Sequence, residues 1–538
     1  MDVFKNFIPS AAGYQKIPQN LEDNRKSAPV ENENDLSSSW VEGHPRGRRA
    51  GMQKLDISCT PEVKARFRWQ QYLAATLATL AALCGGSVLG WTAPVLPYLQ
   101  GNAPEPGGEP PGNASTWVGP QRPLTDDEAS WVGALTPLGA LLGALPAGWA
   151  ADRLGRRRLL LALGALMTAS WLGLAFAKNS VWLLLVCRAV QGAVTGAVTV
   201  VVPLYSEEIA EPAVRGALGS YLDMMLALGI MWAYTAGAFL SYTWLALSSA
   251  ALPLVFCALF ALMPESPMHL VAEGKWVQAE RALAWLRGTT ADCSAIQEEL
   301  HLMAKNVQLA KEPASGPPTP GTPLRPGELP SPAAAPGQSS AGRAARRACV
   351  AVFGLMVFQQ LSGIDAILFY LVDVFDEAGT SLSPLACTVI SGAVQALATG
   401  VASLVVDRVG RRPLLLLSAV AMALAHAALA LRWAPLFSVN LFLVAFALGL
   451  GPMPWFMMAE LLPPSAKQWA SGAAVALNWS LSFVVTKWFS TLMSALGPSL
   501  AYAAFCSVCV VLGVFVTFCV PETRDKTREE IQEELAAP

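Results

Sequence analysis

The pattern Asp-Arg-x-Gly-Arg-Arg occurs twice in the chain, as Asp152, Arg153, Gly155, Arg156 and Arg157 and again as Asp407, Arg408, Gly410, Arg411 and Arg412. An acid follows each copy at a distance: Glu208, with Arg215 seven residues beyond it, and Glu460, with Lys467 seven beyond. Acids and guanidinium groups at neighbouring helix ends can pair in one conformation and part in another, which is the chemistry of a latch between two states. Topology alone would call for basic residues there, but not for an Asp ahead of two Arg at matched positions twice. Gln359 and Gln360 offer chemistry of another kind, since they are adjacent amides in an otherwise apolar stretch and each can donate and accept. Catalysis has no such support. With four His, no HExxH and no Cys-His cluster, a metal site is not expected, nor is any cofactor. The CxxC of Cys506 and Cys509 sits inside an apolar segment, where thiols serve as small packing residues.

The composition identifies the elements that hold these residues. Of 538 residues, 53% are hydrophobic and only 14% charged, whereas a soluble domain carries about a quarter charged residues. An ordinary soluble enzyme is thereby excluded. A formal net charge of -2 gives nucleic acid no electrostatic hold. Twelve apolar stretches approach the roughly 20 residues a membrane helix needs, near 71-99, 128-150, 158-177, 181-204, 216-240, 244-263, 348-375, 384-406, 413-432, 438-462, 468-494 and 499-520. The first 68 residues are polar and hold no apolar core of a signal peptide.

Orientation follows from the basic residues that cytoplasmic loops retain. Lys64, Arg66 and Arg68 precede the first span; Arg153 and Arg156 to Arg158 follow the second, Arg408, Arg411 and Arg412 the eighth, and Arg524, Lys526 and Arg528 the twelfth. The opposite loops hold chiefly Arg122, Lys178 and Arg432. Both termini are therefore expected in the cytoplasm, and Asn113-Ala114-Ser115, in the loop after the first span, is expected to be an extracellular glycosylation site. The sequon Asn478-Trp479-Ser480 falls inside a span.

The two Asp-Arg-x-Gly-Arg-Arg copies stand six spans apart, which points to two six-helix halves related by duplication. The expected fold is an all-α membrane protein of twelve transmembrane helices. Its expected parts are a mostly disordered cytoplasmic tail (1-69), the first half (70-265), a cytoplasmic linker (266-347), the second half (348-520) and a cytoplasmic tail (521-538). The linker begins with an amphipathic region, Trp276 to Leu302, and turns too rich in Pro and Gly to pack.

From about residue 70 to 530 the chain resembles the sugar porters of the major facilitator superfamily, which include facilitative glucose transporters and insect-type facilitated trehalose transporters. The likeness rests on an ordered set of motifs: the two Asp-Arg-x-Gly-Arg-Arg copies, Arg188-Ala-Val-Gln-Gly192, Glu208 to Arg215, Pro-Glu-Ser-Pro at Pro264 to Pro267, Gln-Gln-Leu-Ser-Gly at Gln359 to Gly363, Gly451 to Trp455, Asn478-Trp479 and Pro-Glu-Thr at Pro521 to Thr523. The trehalose branch is suggested by Ala129 to Gly133, by the run from Phe375 to Arg412 and by Phe483 to Phe489.

The resemblance implies the major facilitator fold and transport of a hexose or a disaccharide such as trehalose by facilitated diffusion, at the plasma membrane, with the sugar and the bilayer as partners. It implies that Gln359 and Gln360 contact sugar hydroxyls, that Gln395 and Asn478 add hydrogen bonds, and that Trp455 supplies an aromatic plate and gate. Gly363, Gly449, Gly451, Pro452 and Pro454 would break or loosen their helices. Asp223 stands where the glucose branch has Gln and Asp365 where it has Asn, both as sugar contacts; Met268, Lys467 and Asp525 also depart from the pattern. Intramembrane acids leave open a proton-coupled symporter using Asp223 or Asp365, and a non-transporting sugar sensor is the third alternative.

Overall fold

The structure, a computed structural model, describes residues 69–103, 123–177, 180–211, 214–289, 293–311 and 337–537, all within one compact unit, Asp56–Pro538. Asn113 lies outside them. The described residues form helices without strands. The first half comprises α1 (Trp69–Leu99), α2 (Asp126–Leu154), α3 (Arg156–Phe176), α4 (Val181–Ile209), the short α5 (Arg215–Gly219), α6 (Tyr221–Phe239) and α7 (Tyr242–Phe260). Between the halves stand α8 (Pro267–Ala272), α9 (Trp276–Arg287) and α10 (Ser294–Lys311). The second half comprises α11 (Gly337–Leu361), α12 (Ile364–Phe369), α13 (Leu371–Glu377), α14 (Pro384–Val409), α15 (Arg411–Ala430), α16 (Pro435–Leu448), α17 (Met453–Leu461), α18 (Pro464–Leu496) and α19 (Pro498–Cys519), and α20 (Arg528–Ala536) follows it.

Among the described residues, eleven spans are long and apolar enough to cross a membrane. The remaining expected span is α18, whose 33 residues include Lys467 and Lys487. The helix carrying the seventh span begins at Gly337, ahead of its expected start at 348, because Ala344, Ala348 and Ala351 already bury an apolar face. The amphipathic stretch foreseen from Trp276 divides into α9 and α10, which share a small core with α8 built on Leu283, Ile296 and Leu300.

Pairing repeats between the halves. In the first, α1 packs on α6, α2 on α4 and α3 on α7; in the second, α11 packs on α18, α14 on α16 and α15 on α19. Where α2 meets α4, a side chain at Gly139 would strike the Ala189 carbonyl, and one at Gly196 the Ala140 carbonyl. Small residues thus bring two backbones together where lipid supplies no hydrophobic drive between helices. Contact between the halves runs along α2 with α18 and α6 with α14, pairs that exchange under the same duplication.

Two spans of the second half are interrupted. The seventh breaks at Ser362 and Gly363, whose φ of 85° suits a residue without Cβ, and again at Tyr370 between α12 and α13. The tenth breaks between α16 and α17 at Gly449 to Pro452. Backbone groups freed inside a membrane need partners, and α15 supplies them on both sides. His426 Nε2 lies 3.0 Å from the Ser362 carbonyl, and Ser418 Oγ accepts the Leu450 N–H at 3.2 Å.

Candidate functional site

The break in the tenth span faces the two amides of the seventh. Gln359 Nε2 donates to the carbonyls of Leu450 at 3.0 Å and Gly451 at 2.7 Å, while its Oε1 accepts from Asn478 Nδ2 at 2.7 Å. Gln360 Nε2 donates to Asn478 Oδ1 at 3.1 Å. Asn478 is thus held between both glutamines, and all three side chains are buried. After these bonds form, Gln360 Oε1 remains buried with no partner. Gln395 on α14 also keeps a buried, unpartnered Oε1. An acceptor held out of water without a donor is costly.

Asp365, in the first turn of α12, accepts from the Ser482 hydroxyl of α18, which joins it to the helix that also carries Asn478. Trp455 lies just past the tenth-span break, half-buried against the main core. Asp223 is not drawn into this cluster. It occupies the first turn of α6 and makes no hydrogen bond or ion pair among the described residues.

The arginine motifs lie at one end of the bundle, where α2 passes into α3 and α14 into α15. Arg156 reaches Glu208 by its Nε at 3.1 Å and its Nη2 at 2.8 Å, and Nη2 also meets Asp152 at 2.8 Å. In the second half, Arg411 Nη2 pairs with Glu460 at 3.1 Å, whose other oxygen takes the Thr523 hydroxyl at 2.5 Å. Each pair closes within its own half. Three residues expected in the latch stand apart from it. Arg153 stacks over Trp149 instead, Arg408 is exposed and offers only its carbonyl to Arg524, and Lys467 is exposed with no ion pair among the described residues. Their helix positions turn them outward, away from the acids. The side chains of Arg215 and Asp407 lie outside the described residues.

Two acids complete the arrangement. Glu265 accepts the backbone N–H of Arg157 at 3.0 Å and of Ser266 at 3.0 Å. Glu522 accepts those of Arg411 at 3.0 Å, Arg412 at 3.1 Å, Thr523 at 3.0 Å and Arg524 at 3.0 Å. Each carboxylate therefore caps the N-terminus of the helix that opens with the arginines, α3 or α15, where orphan donors and the helix dipole favour negative charge. Gly155 and Gly410, at φ of 91° and 104°, leave room for them: a Cβ at either would press on the capping carboxylate. The arginines also anchor through their side chains, Arg157 to the Ala261 carbonyl and Arg412 to that of Thr517 at 2.5 Å. His269 Nδ1 lies 3.0 Å from Arg156 Nη1, and burial and then the Arg156 charge hold the ring below its ordinary value.

Burial works against ionisation of Glu522, but the four backbone donors outweigh it and hold the carboxyl below its ordinary 4.5. A depressed carboxyl contributes stability that is complete above the ordinary value and lost as pH falls through the folded one. Glu522→Gln should therefore lower the thermal unfolding temperature of the detergent-solubilised protein at pH 7. The gap to the parent should narrow as pH drops below 4.5; a gap independent of pH would refute the charge-capping role.

A buried cation completes the first half. Arg188 of α4 is fully buried and donates to the carbonyls of Val132 at 3.3 Å and Val88 at 3.0 Å, to Gln191 Oε1 at 3.2 Å and to Thr92 Oγ1 at 2.7 Å. All four acceptors are neutral. The stretch of α1 from Gly85 to Pro94 contains no acid.

The sequence pattern of the family described as "sugar (and other) transporter" matches residues 113–535. The facilitated trehalose transporter Tret1 of Culex quinquefasciatus is 34% identical over 492 residues, covering 88% of this chain and 87% of that protein. Tret1 of Aedes aegypti is 33% identical over 503 residues, covering 90% of this chain. The chain spans only 57% of the length of that relative and 58% of the Anopheles gambiae one. Among solved structures, the inward-open conformation of the xylose transporter XylE from E. coli has a TM-score of 0.67 at 21% identity, covering 86% of this chain and 99% of that one. The partially occluded inward-open conformation has a TM-score of 0.65 at 22% identity, covering 84% and 100%. Likeness at that identity shows the fold, two six-helix halves in a multi-pass membrane protein.

Proposed function

Because this chain belongs to the sugar (and other) transporter family, we propose that it carries a hexose or a disaccharide across a membrane by alternating access, making and breaking no covalent bond. The observation that carries this is the amide cluster at the tenth-span break. Gln359, Gln360 and Asn478 are uncharged, buried and mutually bonded, and Gln360 Oε1 is left open. A sugar offers hydroxyls on every side and C–H faces between them, so a reversible site needs neutral donors and acceptors with an aromatic surface. On this reading Gln360 and Gln395 accept sugar hydroxyls, Asp365 is a further contact held by Ser482, and Trp455 is the aromatic plate. Asp223 would join them only in another conformation of α6.

With the arginine-bearing end taken as cytoplasmic, both termini are cytoplasmic and the membrane is the plasma membrane. Asn113 is then extracellular, and Asn113→Gln should abolish a glycosidase-sensitive mobility shift on gels. The structure's hydrogen bonds between the halves, Tyr234 to the Leu368 carbonyl at 2.8 Å and Lys487 to Asp127 and Ser130 at 2.6 Å each, lie away from the arginines. That distribution fits an inward-facing state. The Arg156–Glu208 and Arg411–Glu460 pairs act within each half, holding the cytoplasmic helix ends rigid so that the halves can dock and undock as bodies.

Facilitated diffusion is favoured over proton coupling by Arg188, whose neutral acceptors leave no acid on α1 to trade a proton with it. The test is uptake of labelled glucose and labelled trehalose into proteoliposomes, with and without an inward proton gradient. Uptake to equilibrium, unaffected by the gradient, is expected. Accumulation driven by the gradient would install the symporter reading, with Asp365→Asn and Asp223→Gln to identify the acid, and binding without uptake would install the sensor.

A further inference from the structure

Lys487 projects from α18 toward α2 of the opposite half, at the end of the bundle remote from the arginines. Its Nζ lies 2.6 Å from Asp127 and 2.6 Å from Ser130 Oγ, and 4.7 Å from the centre of the Trp131 ring. The lysine side chain is only 11% exposed, whereas that of Asp127 is 77% exposed. An exposed pair alone would contribute little. Here the ammonium is withdrawn from water and held by three groups at once, a carboxylate, a hydroxyl and an aromatic face. Asp127 and Ser130 are also placed to receive it: Thr125 and Glu128 form a capping box that fixes the first turn of α2, and Ser130 donates to the Asp127 carbonyl at 2.7 Å.

Among the described residues this is the only ion pair that joins the two halves. The apolar contacts around it cross the same boundary. Trp131 and Phe483 approach to 6.0 Å between ring centres, and a Cβ at Gly133 would come within 3.3 Å of Thr486 Cγ2 and 3.4 Å of the Tyr370 hydroxyl. At the arginine end, by contrast, the Arg156–Glu208 and Arg411–Glu460 pairs each close within one half.

We propose that Lys487 is the gate residue of the outer entrance: its ammonium, docked on Asp127, Ser130 and Trp131, holds the halves closed on that side, and its release is required for sugar to enter from there. This rests on the alternating-access reading above. A lysine suits the task because it is a strongly hydrated point charge. Undocked, it returns to water without leaving an uncompensated buried cation, so the closed state is held but not locked.

The test uses spin labels on Asn102→Cys in the first half and Leu382→Cys in the second, both exposed at the outer end, in a Cys519→Ser background and in detergent without sugar. The parent should give a short inter-label distance. Lys487→Met and Asp127→Asn should each raise the long-distance population at least threefold, and the exchange Lys487→Asp with Asp127→Lys should return it toward the parent. Lys487→Arg, which keeps the charge if Lys487→Met fails to fold, should stay near the parent. Unchanged distances in both Lys487→Met and Asp127→Asn, or a long-distance shift that the charge exchange does not reverse, would overturn the proposal. Uptake is read separately: a shift in distances with no uptake by the parent would leave the gate standing and remove the sugar reading.

Discussion

Gln359→Leu is expected to abolish uptake and to lower thermal stability together. The substitution strands the Leu450 and Gly451 carbonyls at the tenth-span break and the Asn478 amide that Gln359 Oε1 receives. Each unpaired buried group costs about 1 to 3 kcal/mol, and no water in the hydrocarbon region replaces the partner. Gln360→Leu should behave differently. It removes one bond to Asn478 together with an acceptor that pairs with no protein group, so folding should survive while the apparent affinity for sugar falls roughly tenfold, as a loss of about 1.4 kcal/mol implies. Uptake kinetics at equal membrane content and unfolding temperatures in detergent separate the two. Equal behaviour of the pair would dissolve the distinction between a residue that builds the site and one that contacts its ligand.

The second large effect is expected at the α2–α4 contact. Gly196→Val places a side chain against the Ala140 carbonyl, and the backbone there has no rotamer to yield. Overpacking of this kind costs about 1 to 3 kcal/mol even where side chains can give way, so little folded protein should reach the membrane. Gly148→Ala, on the same α2 but with nothing near its Cβ, should be tolerated and should add helix propensity of up to about 1 kcal/mol. The monodisperse fraction on size-exclusion chromatography measures both. A well-folded Gly196→Val would mean that the helices can separate without loss.

The sequence made the membrane architecture legible because apolar length and basic-residue placement are strong, local signals. The breaks in the seventh and tenth spans were also foreseeable, since Gly363, Gly449, Gly451 and Pro452 stand at or beside them. What escaped was partnership across long separations. Glu265 and Glu522 belong to motifs visible in the chain, but a glutamate after a span gives no sign that it caps a helix more than a hundred residues earlier. His426 and Ser418 read as isolated polar residues in an apolar run and prove to brace both breaks. Within each arginine motif, only one arginine among the described residues pairs its side chain with a glutamate, because helical rotation turns its neighbours elsewhere.

The duplication is not equal in mechanical terms. The spans of the first half that correspond to the seventh and tenth, α1 and α4, run unbroken for 31 and 29 residues, with backbones joined tightly to α6 and α2. The amide cluster, both breaks and their braces all belong to the second half. On the alternating-access reading, one copy would serve as a stator and the other as a jointed arm, so changes of substrate would accumulate in the arm while the stator preserves the frame against which it moves. Chimeras that exchange the second half alone should carry specificity with them.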